Sequence, residues 1–213
     1  MKSMRTVTDL SEESAHFAFV EKKSEFISDA CHITTLEEAI DFVESIRLKH
    51  PKARHVAYAA VCGDNNGRLR ERMSDDGEPS GTAGKPILDV VRASNLTDTV
   101  VTVTRYFGGI LLGSGGLMRA YSRAAAGAIQ SSKMADIIEC NCFSCKVEYT
   151  QLRMFKNLLL KHNAEIMDEE YGISVDLKVC VPFEESDRFL ESVKNTFSAI
   201  VIPKSCGVYS RIS

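Results

Sequence analysis

The chain has 213 residues, of which 44% are hydrophobic and 26% are charged, and its formal net charge is -3. This composition is typical of a globular protein and excludes an intrinsically disordered one. The slightly negative charge excludes a generally basic nucleic-acid coat, so any site for a polyanion must be a local patch.

The N-terminal sequence is polar and charged and lacks the apolar segment of a signal peptide. No apolar run approaches the roughly 20 residues that a membrane-spanning helix needs. We therefore expect a cytoplasmic protein without a membrane association. Its seven cysteines are expected to be reduced and structural, as is usual in that compartment.

The first part of the chain predicts alternating strands and helices. A helix begins at the capping box of Thr35 and Glu38, and a second helix begins at 87–92 with Pro86 in its first turn. An Ala-rich helix follows the glycines at 113–116, with one face suited to packing on a sheet. Strands are predicted at 16–22, 25–33, 55–63 and 99–107, the third ending in a turn-rich segment at 63–67.

From residue 137 the pattern becomes strand, helix, strand, strand, helix, strand, which is the order of a ferredoxin-like fold. The strands are predicted at 138–148, 165–171, 173–181 and 200–212, and the helices at 150–162 and 183–197. The sequence therefore predicts an α+β protein with two domains, 1–136 and 137–213.

Three cysteines lie close together in the strand at 138–148. Strand alternation places Cys140 and Cys142 on one face and Cys145 on the other. Three thiolates therefore do not converge on one zinc ion, and we predict no metal site there.

Two long irregular motifs stand out, SDDGEPSGTAGKPIL at 74–88 and RYFGGILLGSGGLMRAYSRA at 105–124. Together with ARHVAYA at 53–59 they resemble the signature of the IMPACT family, whose bacterial members are YigZ-like proteins. The resemblance implies a ribosomal-protein-like α/β first domain, similar to domain IV of elongation factor G, and a second domain similar to its domain V. Because eukaryotic members are linked to the regulation of translation initiation, it also implies RNA or the ribosome as a partner.

The second motif has the features of an anion-binding surface. Residues 99–135 contain no Asp or Glu, and Arg119 and Arg123 share a helix face because they are four residues apart. Glycines before a helix let an anion approach its free N–H groups and the positive end of its dipole. The alternative is structural, with glycines that serve turns and packing and arginines that are only solvated. The predicted surface for RNA comprises Arg105, Tyr106, Gly108, Gly109, Gly113, Gly115, Gly116, Arg119 and Arg123.

The loop at 73–86 is polar, Gly-rich and long, and long ordered loops are often functional. Its carboxylates, with His55, are candidates for a metal-assisted hydrolytic cleft, whereas the structural alternative is loop capping. Lys85 and Arg105 are candidate partners for Asp75 and Asp76. The candidate cleft comprises His55, Asp75, Asp76, Glu78, Thr82 and Lys85.

We assign no catalytic residue, cofactor or metal ligand from the sequence. In the second domain acidic residues outnumber basic ones, so we expect it to contact a protein partner rather than RNA. A metal-assisted hydrolase and a pure protein-interaction module remain the alternative functions.

Overall fold

The computed structural model describes residues 4–63, 68–198 and 200–213. The chain forms two compact units, Met1–Asp136 and Ile137–Ser213. Most of the turn-rich segment predicted at 63–67 lies outside the described residues.

The first unit contains a five-stranded antiparallel sheet and three helices. The sheet has the strand order β2-β3-β6-β4-β5. A further short strand, β1, pairs with residues 134–136. The elements are β1 (Arg5–Val7), β2 (Ala15–Glu21), β3 (Ser24–His32), α1 (Leu36–Lys49), β4 (His55–Gly63), β5 (Leu69–Ser74), α2 (Gly84–Ala93), β6 (Thr99–Tyr106) and α3 (Ser114–Ser131).

Helices cover both faces of this sheet. In β4, Val56, Tyr58 and Ala60 pack against α1, whereas the alternate residues Ala57 and Ala59 pack on the side of α2 and α3. This explains why β4 is apolar throughout, since a strand buried on both faces loses the polar alternation of a half-exposed strand. The alanines of α3 bring that helix close to the sheet, as predicted.

Local sequence signals place the helix starts. Thr35 Oγ1 accepts the N–H of Glu38 at 3.2 Å, as the predicted capping box requires, whereas the Glu38 carboxylate accepts the N–H of Thr34, one residue before the N-cap, at 2.7 Å. Pro86 lies in the first turn of α2, which begins at Gly84 rather than at 87.

The strand β5 was not predicted. All of its residues except Ser74 are exposed, and its sequence LRERMS has no apolar face. β5 is one of the two edge strands of the sheet and pairs only with β4 among the described strands. Charged side chains are common on edge strands because they discourage pairing with other chains.

The second unit has the predicted ferredoxin-like order. Its strands form an antiparallel sheet in the order β10-β7-β9-β8. The helix α5 begins three residues later than predicted because a 3-10 turn at Phe183–Glu185 precedes it. The elements are β7 (Met134–Val147), α4 (Tyr149–Lys161), β8 (Glu165–Tyr171), β9 (Val175–Pro182), α5 (Ser186–Phe197) and β10 (Lys204–Ile212).

The cysteines of β7 occupy the predicted faces, with Cys145 in the core below the helices and Cys140 and Cys142 on the other face. The expectation that all thiols are reduced was wrong for one pair, because Cys142 forms a disulfide with Cys180. The two residues are direct partners in β7 and β9, with their Cα atoms 4.3 Å apart. Their separation of 38 residues conceals this proximity in the sequence.

No helix among the described residues is long and apolar enough to cross a membrane.

Gly127 on α3 allows β2 to approach the helix closely. A Cβ atom at this position would lie 2.1 Å from Cδ1 of Phe17. We expect Gly127→Ala to lower the free energy of unfolding by about 1–3 kcal/mol through overpacking, although alanine ordinarily favours a helix by about 1 kcal/mol. Chemical denaturation measures this change. In the same helix Gly115→Ala is the matched control, because its Cβ would meet only Arg119 Nη1 at 3.6 Å. Equal effects of the two substitutions would contradict the packing argument.

Candidate nucleic-acid interface

Asp75 begins the acidic loop and holds it in place. Its Oδ1 accepts the N–H groups of Ala83 and Gly84, each at 2.9 Å, and its Oδ2 accepts that of Gly81 at 2.8 Å. Asp75 therefore caps the start of α2. Burial alone would raise the pKa of Asp75, but these three hydrogen bonds outweigh it and the pKa lies below its ordinary value.

Asp76 joins the loop to α1 and β4. Its carboxylate accepts two hydrogen bonds from the Arg47 guanidinium, at 3.0 and 3.1 Å, and one from the Val56 N–H at 2.6 Å. His55 Nδ1 donates to the carbonyl oxygen of Asp76 at 2.7 Å. Burial opposes ionisation of Asp76, yet Arg47 and Val56 together lower its pKa.

Glu78 points into the interior, where it forms an ion pair with Arg105 of β6. Arg105 Nη1 lies 2.8 and 3.1 Å from the two carboxylate oxygens, and Tyr121 Oη donates to Glu78 Oε1 at 2.8 Å. Glu78 is 8% exposed and Arg105 is 5% exposed. Burial raises the pKa of the Tyr121 hydroxyl above its ordinary value, and the charge of Glu78 adds to this effect.

These contacts correct the predicted pairing of the loop. Lys85 pairs with Asp89 at 2.6 Å rather than with Asp75 or Asp76, and Arg105 pairs with Glu78. Thr82 is buried, and its Oγ1 donates to the carbonyl oxygen of Pro79 at 2.6 Å.

The loop carboxylates thus have separate protein partners and do not converge. Within residues 4–63, 68–198 and 200–213, no group of three or more His, Cys, Asp or Glu side chains is arranged to hold a metal ion. The acidic loop therefore has the geometry of a structural loop, which was the alternative considered from the sequence.

Three of the residues predicted to form the anion-binding surface serve other purposes. Arg105 is buried against Glu78. Tyr106 lies on the α1 face of the sheet, where its hydroxyl is hydrogen-bonded to His50 Nδ1 at 3.0 Å. Gly108 donates its N–H to Ser24 Oγ at 3.2 Å, and a Cβ there would lie 1.9 Å from the carbonyl oxygen of Lys23, so the position requires glycine.

The remaining residues of that prediction lie at the start of α3, apart from Gly109, which is exposed with a φ of 83°. Gly113 precedes the helix with a φ of 72°, which favours glycine, and no side chain caps the helix. The first helical hydrogen bond runs from Leu117 N–H to Gly113 C=O. The N–H groups of Ser114, Gly115 and Gly116 consequently have no partner within the helix.

Arg119 and Arg123 are exposed and line one pocket of about 260 Å³. Within the described part of the chain, neither guanidinium forms an ion pair or a hydrogen bond. The Arg123 guanidinium lies over the ring of Phe19, 4.2 Å from its centroid. The pocket is lined by Phe19, Glu21, Lys22, Leu112, Gly116, Arg119, Ala120 and Arg123.

The turn between β2 and β3 supplies a further cation that the sequence analysis missed. It is a two-residue turn, since Glu21 pairs with Ser24. Lys22 and Lys23 have φ angles of 44° and 63°, a conformation usually adopted by Asn-Gly in such turns. Two non-glycine residues in this region cost on the order of 1 kcal/mol each. The consecutive lysines at the end of a predicted strand were the available signal.

Two protein-family models match this chain, and one of them covers both long motifs. The family model described as "Impact N-terminal domain" matches residues 22–129, which include both motifs and the pocket residues apart from Phe19 and Glu21. The model "Domain of unknown function (DUF1949)" matches residues 145–199.

Similar proteins cover nearly the whole chain. An "IMPACT family member" of Haemophilus influenzae is 38% identical over 87% of this chain and 86% of its own length. The "IMPACT family member YigZ" of Escherichia coli is 38% identical over 79% and 82%. A crystal structure of a hypothetical protein superposes with a TM-score of 0.69 at 32% identity, over 97% of this chain and 98% of the other.

The buried ion pair predicts a large effect of neutralising one partner. Glu78→Gln leaves the Arg105 charge buried without a counter-charge, which costs about 3–5 kcal/mol of unfolding free energy. Glu71→Gln is the control, because Glu71 and Arg92 form an ion pair in which Arg92 is 53% exposed, and exposed pairs contribute about 1 kcal/mol or less. Urea denaturation of both variants tests this, and similar losses would argue against a central role for Glu78.

The lowered pKa of Asp75 predicts a contribution to acid sensitivity. A carboxylate with a depressed folded-state pKa stabilises the fold above its ordinary value of 3.8, and this stabilisation disappears as the pH falls through the folded-state pKa. Asp75→Asn should therefore be less stable than the parent near neutral pH, and its stability should fall less steeply below about pH 5. Denaturation curves over a pH series provide the measurement. Parallel pH profiles for the two proteins would contradict it.

Proposed function

Because the chain belongs to the IMPACT family, we propose that it is a translation-related regulator that binds RNA or the ribosome. The contact surface is the pocket at the start of α3, formed by Arg119, Arg123 and Lys22 with the first-turn N–H groups. The proposal has two supports. The resemblance of this chain to the family implies a role in translation, and the pocket brings several positively charged side chains together. We also propose that the protein is cytoplasmic.

One observation supports the pocket at the start of α3 as the contact surface. Arg119 and Arg123 have no partner among the described acidic residues, although both face a pocket that Glu21 also lines. Free guanidinium groups beside an uncapped helix start provide charge and directed N–H donors for phosphate.

The alternative functions have less support. A hydrolase built on the acidic loop would need carboxylates free to bind a metal or water, whereas Asp75, Asp76 and Glu78 are each held by protein donors. The second unit carries more acidic than basic residues, so we assign it contacts with a protein partner rather than with RNA.

Charge reversal at the pocket tests the proposal. Arg119→Glu with Arg123→Glu should weaken binding to RNA or ribosomes by about tenfold or more, and should flatten its salt dependence by about one unit of slope per lost phosphate contact. Ribosome co-sedimentation and filter binding at two salt concentrations give both quantities.

The matched control changes the same charge elsewhere. Arg153→Glu with Lys161→Glu places two reversals on exposed positions of α4 in the second unit, and it should leave binding near that of the parent. If the pocket variant binds as well as the parent, the site is wrong. If both variants lose binding equally, only overall charge matters and the pocket has no special role.

A further inference from the structure

The guanidinium of Arg123 belongs to a series of stacked groups that extends into the core. It lies over Phe19, whose ring stacks on Phe26 at 5.3 Å with an interplanar angle of 11°. Phe26 in turn contacts the guanidinium of Arg105, at 5.5 Å, and the edge of Tyr121, at 5.4 Å. The exposed Arg123 is thereby connected to the buried ion pair of Arg105 and Glu78.

This arrangement restricts the orientation of the Arg123 side chain. An exposed arginine ordinarily samples many rotamers, and ordering it costs up to about 2 kcal/mol of conformational entropy. Contact with a ring that is itself stacked on a fully buried phenylalanine offsets part of this cost before any ligand binds. The guanidinium carbon lies 4.2 Å from the centroid of the Phe19 ring, and the side chain remains exposed at the pocket.

We propose that the pocket binds one unpaired nucleotide, with the base stacked on the free face of the Arg123 guanidinium and the phosphate held by Arg119 and Lys22. The inference rests on the proposed function and specifies its ligand as single-stranded RNA. RNA-binding proteins stack unpaired bases on aromatic rings and on the planes of arginine guanidinium groups. The apolar side chains of Leu112 and Ala120 complete a surface suited to a base rather than to phosphate alone.

The size of the pocket suits one base rather than a fully enclosed nucleotide. Its volume of about 260 Å³ lies below the roughly 300–1,000 Å³ of pockets that enclose a drug-sized ligand, so the sugar and the phosphate would lie at its rim. Duplex RNA keeps its bases stacked inside the helix and offers such a pocket only phosphate and sugar. A surface that bound RNA through charge alone would bind duplex and single-stranded RNA with similar affinity.

The decisive variant is Arg123→Lys, which keeps the positive charge and removes the planar group. We expect it to weaken binding of an unstructured RNA oligonucleotide by about tenfold, equivalent to about 1.4 kcal/mol, which lies within the range for one stacked base. Its salt dependence should match that of the parent because the number of charges is unchanged. Arg119→Lys is the matched control and should bind within about twofold of the parent, since Arg119 is assigned to phosphate, which lysine also binds.

A second readout reports stacking directly. An oligonucleotide with a single 2-aminopurine should change its fluorescence when the parent protein binds it, because the base leaves its stack with the neighbouring bases, and this change should be absent with Arg123→Lys at saturating protein. Phe19→Leu should reduce the fluorescence change as well, because Phe19 positions the guanidinium. A duplex of the same sequence should bind the parent and Arg123→Lys equally.

The possible outcomes separate the two proposals. If the double charge reversal abolishes binding while Arg123→Lys binds single strands as the parent does, the surface is correct and the stacked base is wrong. If the double reversal has no effect, the proposed function fails at this site and the stacked base fails with it. The proposal requires that Arg123→Lys, but not Arg119→Lys, binds single strands about tenfold more weakly with an unchanged salt slope and loses the fluorescence change.

Discussion

The buried ion pair between Glu78 and Arg105 determines how the first unit is assembled. It connects the acidic loop to β6, and through the Tyr121 hydroxyl and Ser24 it also reaches α3 and β3. Breaking a buried pair costs far more than an exposed one, because the remaining charge is left without a partner or water. The Nε atom of Arg105 is buried without a hydrogen-bond partner among the described residues, so the attraction to Glu78 must also offset that loss. The pair therefore fixes one arrangement of loop, sheet and helix.

This constraint joins the two long motifs in one buried network. The three carboxylates of the first motif, Asp75, Asp76 and Glu78, bind the start of α2, β4 and β6 respectively. The residues of the second motif form two groups. Arg105 and Tyr121 belong to the same buried network, whereas Arg119 and Arg123 are on the exposed side of α3. The stacked rings of Phe26 and Phe19 connect the two sets. Buried structural residues and exposed residues thus alternate along α3.

Much of the fold could be predicted from local patterns. The capping box at Thr35, the apolar strand at 55–63 and the strand and helix order of the second unit follow from side-chain period and end signals, which are properties of neighbouring residues. The partners of Arg105 and of Cys142 could not be predicted, because they depend on contacts between distant segments. For the candidate site, the spacing of Arg119 and Arg123 placed them correctly on one face. Phe19 and Lys22 were missed because only pairing with β3 brings the end of β2 beside α3.

The turn at Lys22 and Lys23 has a consequence for the engineering of this protein. Both residues adopt a left-handed conformation that Asn-Gly would adopt with less strain. Directed evolution for heat resistance alone would therefore favour replacement of the lysines, and would remove a cation from the pocket in the same step. If the pocket binds RNA as proposed, thermostable descendants obtained in that way would fold well and bind RNA poorly.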